Sequence, residues 1–143
     1  GENFEQSQQE AKALGIAEMV LFCGNVNRPE DYLQAMDVFV MTSLFEGLPI
    51  VGVEAQASGL PCIFADTITQ EVKILPQTQF LALTQPDEAW AERIVQTKPM
   101  ERSLAGHCVE SAGFAEENLD RQVCALYGME EHHFANISGR DHL

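Results

Sequence analysis

Three short runs of unbroken apolar residues punctuate the first half of the chain: Met19–Cys23, Val38–Met41 and Cys62–Ala65. None alternates polar with apolar residues, so each reads as a strand covered on both faces. The stretches between them carry helix signals. Ser7 and Glu10 have capping-box spacing, Gln8–Leu14 is rich in helix formers, and Gly15 follows as a C-terminal stop. Pro29 opens a second helix, with Glu30 and Asp31 favourable to its dipole and Tyr32, Leu33 and Met36 on its apolar side. Pro49 opens a third and Gly59 ends it; Phe80–Leu83 is a shorter, fourth candidate strand. Fully apolar strands separated by helices specify an α/β fold, a Rossmann-like parallel sheet with helices on both faces.

After Pro86 the pattern becomes helical. Glu88–Thr97, Pro99–Glu110 and a segment through Phe114, Leu119, Val123 and Leu126 are expected helices, the last ending at Gly128. Residues 1–85 are thus a Rossmann-like core, 86–127 a helical segment of the same domain, and 128–143 a loose tail.

The charge narrows the partners. Carboxylates outnumber basic residues 22 to 8, giving −14 in 143 residues, and the excess is spread over both halves. Nucleic acid is excluded as a partner, because phosphate neutralisation needs a basic stripe. An anionic substrate would need positive groups supplied locally, by helix N-termini or by basic residues on another segment. The run Met19–Cys23 is far short of the ~20 residues of a membrane span. The start is polar and acidic rather than signal-like, and Cys23, Cys62, Cys108 and Cys124 form no CxxC pair. A cytoplasmic protein with reduced thiols is the expectation.

One segment carries chemistry: Ser43–Pro61. Glu46 and Gly47 fall in the loop at the carboxyl end of an expected strand, and Pro49 starts the helix. The amides near Leu48, Ile50 and Val51 then lack intrahelical partners and present partial positive charge at the sheet edge where open α/β folds bind ligands. Gly47 lets a ligand approach the backbone. Glu54, five residues past Pro49 at ~100° per residue, sits on a flank of the helix near its mouth. Ionised carboxylates accept hydrogen bonds from sugar or ribose hydroxyls. A nucleotide-sugar, with phosphates between two hydroxyl-bearing rings, suits all three features. Acidic residues at a helix start also serve simply as partners of its dipole, and spacing alone leaves both readings open.

Glu46–Glu54 resembles the E-x7-E pattern of retaining GT-B glycosyltransferases, a family that includes bacterial exopolysaccharide and capsule enzymes. Leu14–Gly24, Ala35–Ser43 and Glu54–Pro61 resemble its flanking blocks, in order and at family spacing. Glu71-Val-Lys73, Ala112-Gly-Phe114 and Tyr127 resemble its polysaccharide-synthesis branch. The likeness covers roughly residues 1–127.

The resemblance implies that Glu46 is the catalytic-site acid contacting donor-sugar hydroxyls. Gly47, Leu48, Pro49 and Ile50 would form the donor-binding turn, and Glu54 would hold the ribose. Main chain around Cys23, Asn25 and Val26 would border the base. Arg28 would reach a base edge or phosphate; a solvated loop arginine is the equal alternative. No metal or cofactor is expected beyond the nucleotide-sugar substrate: D-x-D is absent, and His132, His133 and His142 fall in the expected tail. The acceptor would be a polysaccharide or lipid-linked sugar, and the full enzyme would be cytoplasmic, at most peripheral at the inner membrane face.

The family's Arg-x4-Lys pair and its N-terminal acceptor domain have no counterpart here. The sequence resembles the downstream part of a donor domain, expected to need an N-terminal GT-B half and to bind donor no tighter than millimolar alone. The rival expectation is a noncatalytic nucleotide- or partner-binding module.

Overall fold

The computed structural model describes residues 3–98 and 100–114. Helix α1 (Phe4–Ala13) leads to a 3-10 turn (Ala17–Met19), then α2 (Pro29–Ala35), β1 (Phe39–Met41), α3 (Ile50–Ala57) and β2 (Cys62–Ala65). A second 3-10 turn (Gln70–Val72), β3 (Gln79–Leu81), α4 (Asp87–Gln96) and α5 (Arg102–Val109) complete the fold. The strands lie in the order β1-β2-β3, all parallel, in an α/β architecture.

The register aligns Phe39 with Cys62, Met41 with Phe64, and Phe64 with Phe80. Their rings therefore share one face: Phe64 stands 6.1 Å from Phe39 and 5.8 Å from Phe80. Helix α3 lies on that face, so close that a Cβ on Gly52 would come within 2.9 Å of the Phe64 ring. Val40 points the other way, into a groove it shares with Trp90 and Ile94 of α4. Every side chain of β2 is buried, as expected of a central parallel strand with both faces covered.

Gly59 ends α3 in the left-handed region (φ 77°), and the amides of Gly59 and Leu60 close back on Gln56 and Ala55. The same turn seats α5. The Met100 amide donates to the Gly59 carbonyl, and Arg102 donates to the Gln34 side chain and, at 2.9 Å, to its carbonyl. Ala105 and Val109 are buried on α5, which packs on α3.

The structure corrects four boundaries. Met19–Cys23 is not a strand. Met19 ends a 3-10 turn, Val20 is extended but Val20–Cys23 joins no ladder, and Met19 and Leu21 are 79% and 82% exposed. An apolar run becomes a strand only when a neighbouring edge takes its backbone groups, and among the described residues β1 pairs with β2 alone. Ser7 caps nothing: α1 begins three residues earlier, at Phe4, which packs edge-on against Phe22 at 5.6 Å. Pro49 is the N-cap of α3 rather than its first residue. The helix expected over Pro99–Glu110 starts at Arg102, and Pro99 itself is outside the described residues. The third C-terminal helix and the tail lie outside them too, except Phe114, which ends a π-type turn (Glu110–Phe114) broken at Gly113 (φ 95°).

Candidate site at the start of helix α3

Loop 42–49 carries the chain from the carboxyl end of β1 to α3. It is fastened to the matching loop after β2 at two points. The Thr67 hydroxyl donates to the Ser43 carbonyl at 2.7 Å, and Glu46 forms an isolated parallel bridge with Ile68, which is buried. Within the loop, the Ser43 hydroxyl donates to Oε1 of Glu46 at 3.1 Å. Glu46 is thus held by its backbone and by one carboxylate oxygen, with its second oxygen unused among the described residues.

Leu48 packs against the core and Pro49 is buried, so the turn entering α3 is anchored from below. Pro49 accepts from the amides of Gly52 and Val53, at 2.9 and 3.4 Å. The amides of Ile50 and Val51 have no partner among the described residues, no side chain caps the helix, and its first turn holds no acid. They supply the positive end of the helix dipole.

Helix periodicity divides α3 sharply. Gly52, Val53, Ala55 and Gln56 are buried, while Ile50 and Glu54, four residues apart, share the exposed stripe. Glu46, the open amides and Glu54 therefore belong to one continuous unit of loop and helix.

The expected base-binding segment is more loosely defined. Cys23 and Asn25 are exposed, Val26 is half-buried, and Gly24 turns the chain at φ 64°. Arg28 precedes α2 and is occupied by its own helix: Nε lies 3.1 Å from Glu30 and an Nη nitrogen 3.1 Å from Asp31. Hydrogen bonding from its own backbone, then Arg28 beside it, hold the Glu30 carboxyl below its usual range. Helix α2 packs on α3 through buried Leu33, which brings this segment to the α3 side of the fold. No described bond links residues 23–28 to 46–54.

The sequence reading passed over Gln56. It is fully buried, and its Nε2 donates to the carbonyls of Gly52 (3.0 Å) and Val72 (2.7 Å). Its Oε1 accepts from the amides of Ile74 (3.0 Å) and Leu75 (2.9 Å) and from the Thr78 hydroxyl (2.7 Å). The available signal was a polar residue on the buried face of an otherwise apolar helix. Among the described residues, no three His, Cys, Asp or Glu side chains group as metal ligands, and no helix is long and apolar enough to cross a membrane.

Comparison with known proteins identifies the family. Residues 1–97 match the family described as glycosyl transferases group 1. The chain is 47% identical over 90 residues to "Putative glycosyltransferase EpsF" of Bacillus subtilis, covering 62% of this chain and 23% of that protein. It is 34% identical over 122 residues to "Vi polysaccharide biosynthesis protein VipC/TviE" of Salmonella typhi, covering 80% and 20%. Over 53 residues it is 42% identical to a "UDP-Gal:alpha-D-GlcNAc-diphosphoundecaprenol alpha-1,3-galactosyltransferase" of Escherichia coli, covering 37% and 14%. The chain thus spans between 14% and 23% of the length of these curated relatives. With the family match running over more than half of its residues, the chain belongs to the glycosyl transferases group 1 family.

Proposed function

We propose that this chain forms the donor-binding part of a retaining GT-B glycosyltransferase of the E-x7-E type. The whole enzyme transfers a sugar from a nucleotide-sugar to a polysaccharide or lipid-linked acceptor, acts in the cytoplasm, and uses an N-terminal half for the acceptor. The observation that carries this reading is the single unit of Glu46, open helix amides and Glu54 at the carboxyl edge of a parallel sheet. In it Glu46 accepts hydroxyls of the donor sugar, with Ser43 fixing the orientation of its carboxylate. The amides of Ile50 and Val51 meet the diphosphate, whose negative charge grows as it departs. Glu54 accepts the ribose hydroxyls. Cys23, Asn25 and Val26 border the base, and Arg28 reaches it only by leaving Glu30 and Asp31. The names of the relatives from Bacillus subtilis and Salmonella typhi support a place in surface-polysaccharide synthesis.

A second reading is a noncatalytic module that binds a nucleotide or a partner and transfers nothing. The exposure of Ile50 and Glu54 favours it, because electrostatic contacts open to water are weak. One experiment addresses both. The 15N-labelled chain is titrated with UDP-, GDP- and ADP-sugars, and product release is followed in parallel with candidate acceptors. Saturable shifts at the amides of Gly47, Ile50 and Val51, lost in Glu46→Ala or Glu54→Ala, support donor binding. Unmoved amides throughout 46–54 at the highest soluble ligand concentration, well above millimolar, would refute it.

A further inference from the structure

In a chain with 22 carboxylates, a stretch of surface free of them is informative. One lies beside β3: an open groove of about 550 Å³ walled by the strand, the segment before it and α4, with no Asp or Glu in its lining. Lys73 and Arg93 both line it, with Gln79, Gln85 and Phe80. Among the described residues neither cation forms an ion pair or donates a hydrogen bond. The other described arginines are engaged: Arg28 by Glu30 and Asp31, Arg102 by Gln34. Two like charges in one groove repel each other, and here no neighbouring carboxylate of the lining offsets them.

We infer that this groove binds a phosphate-bearing ligand through Lys73 and Arg93. An ammonium and a planar guanidinium together match a tetrahedral dianion: the arginine fork takes two oxygens and the lysine adds a mobile point charge. Gln79 and Gln85 offer further donors from neutral side chains. The groove is several times the size of a phosphate ion, so the phosphate is the charged head of a larger molecule. The site shares no residue with the Glu46–Glu54 unit, and its test is independent of the donor-binding reading.

The test uses the whole 15N-labelled chain titrated with inorganic phosphate at low salt, with sodium chloride at matched ionic strength as the blank. Saturable shifts are expected at the backbone of Gln79–Leu81 and the side-chain amides of Gln79 and Gln85. Lys73→Ala and Arg93→Ala should each weaken binding by about tenfold or more, the loss of one charge-assisted contact. Lys12→Ala, at an exposed lysine of α1, should not change it. All three positions are exposed, and coincident thermal unfolding curves establish that each variant is folded. A second arm separates the sources of the phosphate. Cosedimentation with phosphatidylcholine vesicles containing phosphatidic acid, abolished by Lys73→Ala, assigns a lipid headgroup; phosphate binding without cosedimentation assigns a soluble phosphorylated ligand. Absence of saturation, or an equal loss in Lys12→Ala, overturns the proposal.

Discussion

Replacing Gln56 by leucine tests whether the bonds of that side chain hold α3 in place. Leucine approximates the volume and removes every polar contact. Three buried groups then lose their partner: the Val72 carbonyl, the Leu75 amide and the Thr78 hydroxyl. The Ile74 amide is only half-buried and regains a bond from water. At about 1–3 kcal/mol for each orphaned group, partly relieved as segment 72–78 moves outward, the net cost is about 3–5 kcal/mol. That is a drop of at least ~10 °C in midpoint for a domain of this size. Gln56→Glu separates hydrogen bonding from packing. Its retained oxygen still accepts from Leu75 and Thr78, but the second oxygen replaces a donor 2.7 Å from the Val72 carbonyl. Only the protonated acid restores that bond, so folding raises the pKa of the new carboxyl above its free value of ~4.3. Between those two values the unfolded chain binds fewer protons than the folded one, so stability falls as pH rises. Urea unfolding at pH 5 and pH 8 measures both effects against the wild type. A Gln56→Leu protein within ~1 kcal/mol of wild type, or a Gln56→Glu protein with the wild-type pH dependence, would refute the reasoning.

Gly52→Ala should destabilise by about 1–2 kcal/mol: overpacking against Phe64, whose ring is held between Phe39 and Phe80, outweighs the ~1 kcal/mol gain in helix propensity. Unchanged or increased stability in urea would show that the ring yields. Glu46→Ala and Glu54→Ala should each weaken nucleotide-sugar binding about 10- to 150-fold, the worth of one charge-assisted hydrogen bond, with turnover of a reconstituted full-length enzyme falling more for Glu46. Wild-type titration curves for both would remove the E-x7-E assignment. Burial pushes the Cys62 thiol up to about 12, from an ordinary value of 9.0. The unfolded chain therefore loses that proton first, and stability should decline as pH rises above about 9. Alkylation followed by mass mapping should modify exposed Cys23 long before Cys62 in the native chain.

The sequence was legible wherever structure is decided locally. Cys62–Ala65 is a strand over its full expected length because four consecutive apolar residues there meet cover on both faces. Gly59 ends α3 and Pro86 precedes α4 because a left-handed turn and a fixed φ are properties of single residues. Met19–Cys23 has the same composition as a strand and is not one, since ladder formation depends on an available neighbouring edge. The E-x7-E spacing could place Glu54 on an exposed stripe, which it occupies. It could not show that Thr67 and Ile68 hold the loop of Glu46, because those partners come from a different crossover. Gln56 was opaque for the same reason: apart from Gly52, its partners lie 16 to 22 residues away.

The two glutamates are positioned by different restraints, and this separates what local damage does to each. Glu46 depends on the loops after β1 and β2, through Ser43, Thr67 and the bridge to Ile68. Glu54 has no described side-chain partner; its place follows from the rotation of α3 about its own axis. Gln56 sets that rotation from the opposite side of the helix by binding segment 72–78, and Gly52 sets its distance from the sheet. A folded Gln56 variant should therefore move Glu54 while leaving Glu46 in register. Amide shifts near Ile50 and Glu54 should change in the free protein, and those of Ser43 and Glu46 should not. Nucleotide affinity should fall while the response at Glu46 to a saturating sugar donor is retained. Equal displacement at both glutamates would mean that loop and helix move as one body, and that the fastening of Ser43 and Glu46 to the loop after β2 is too weak to hold Glu46 independently.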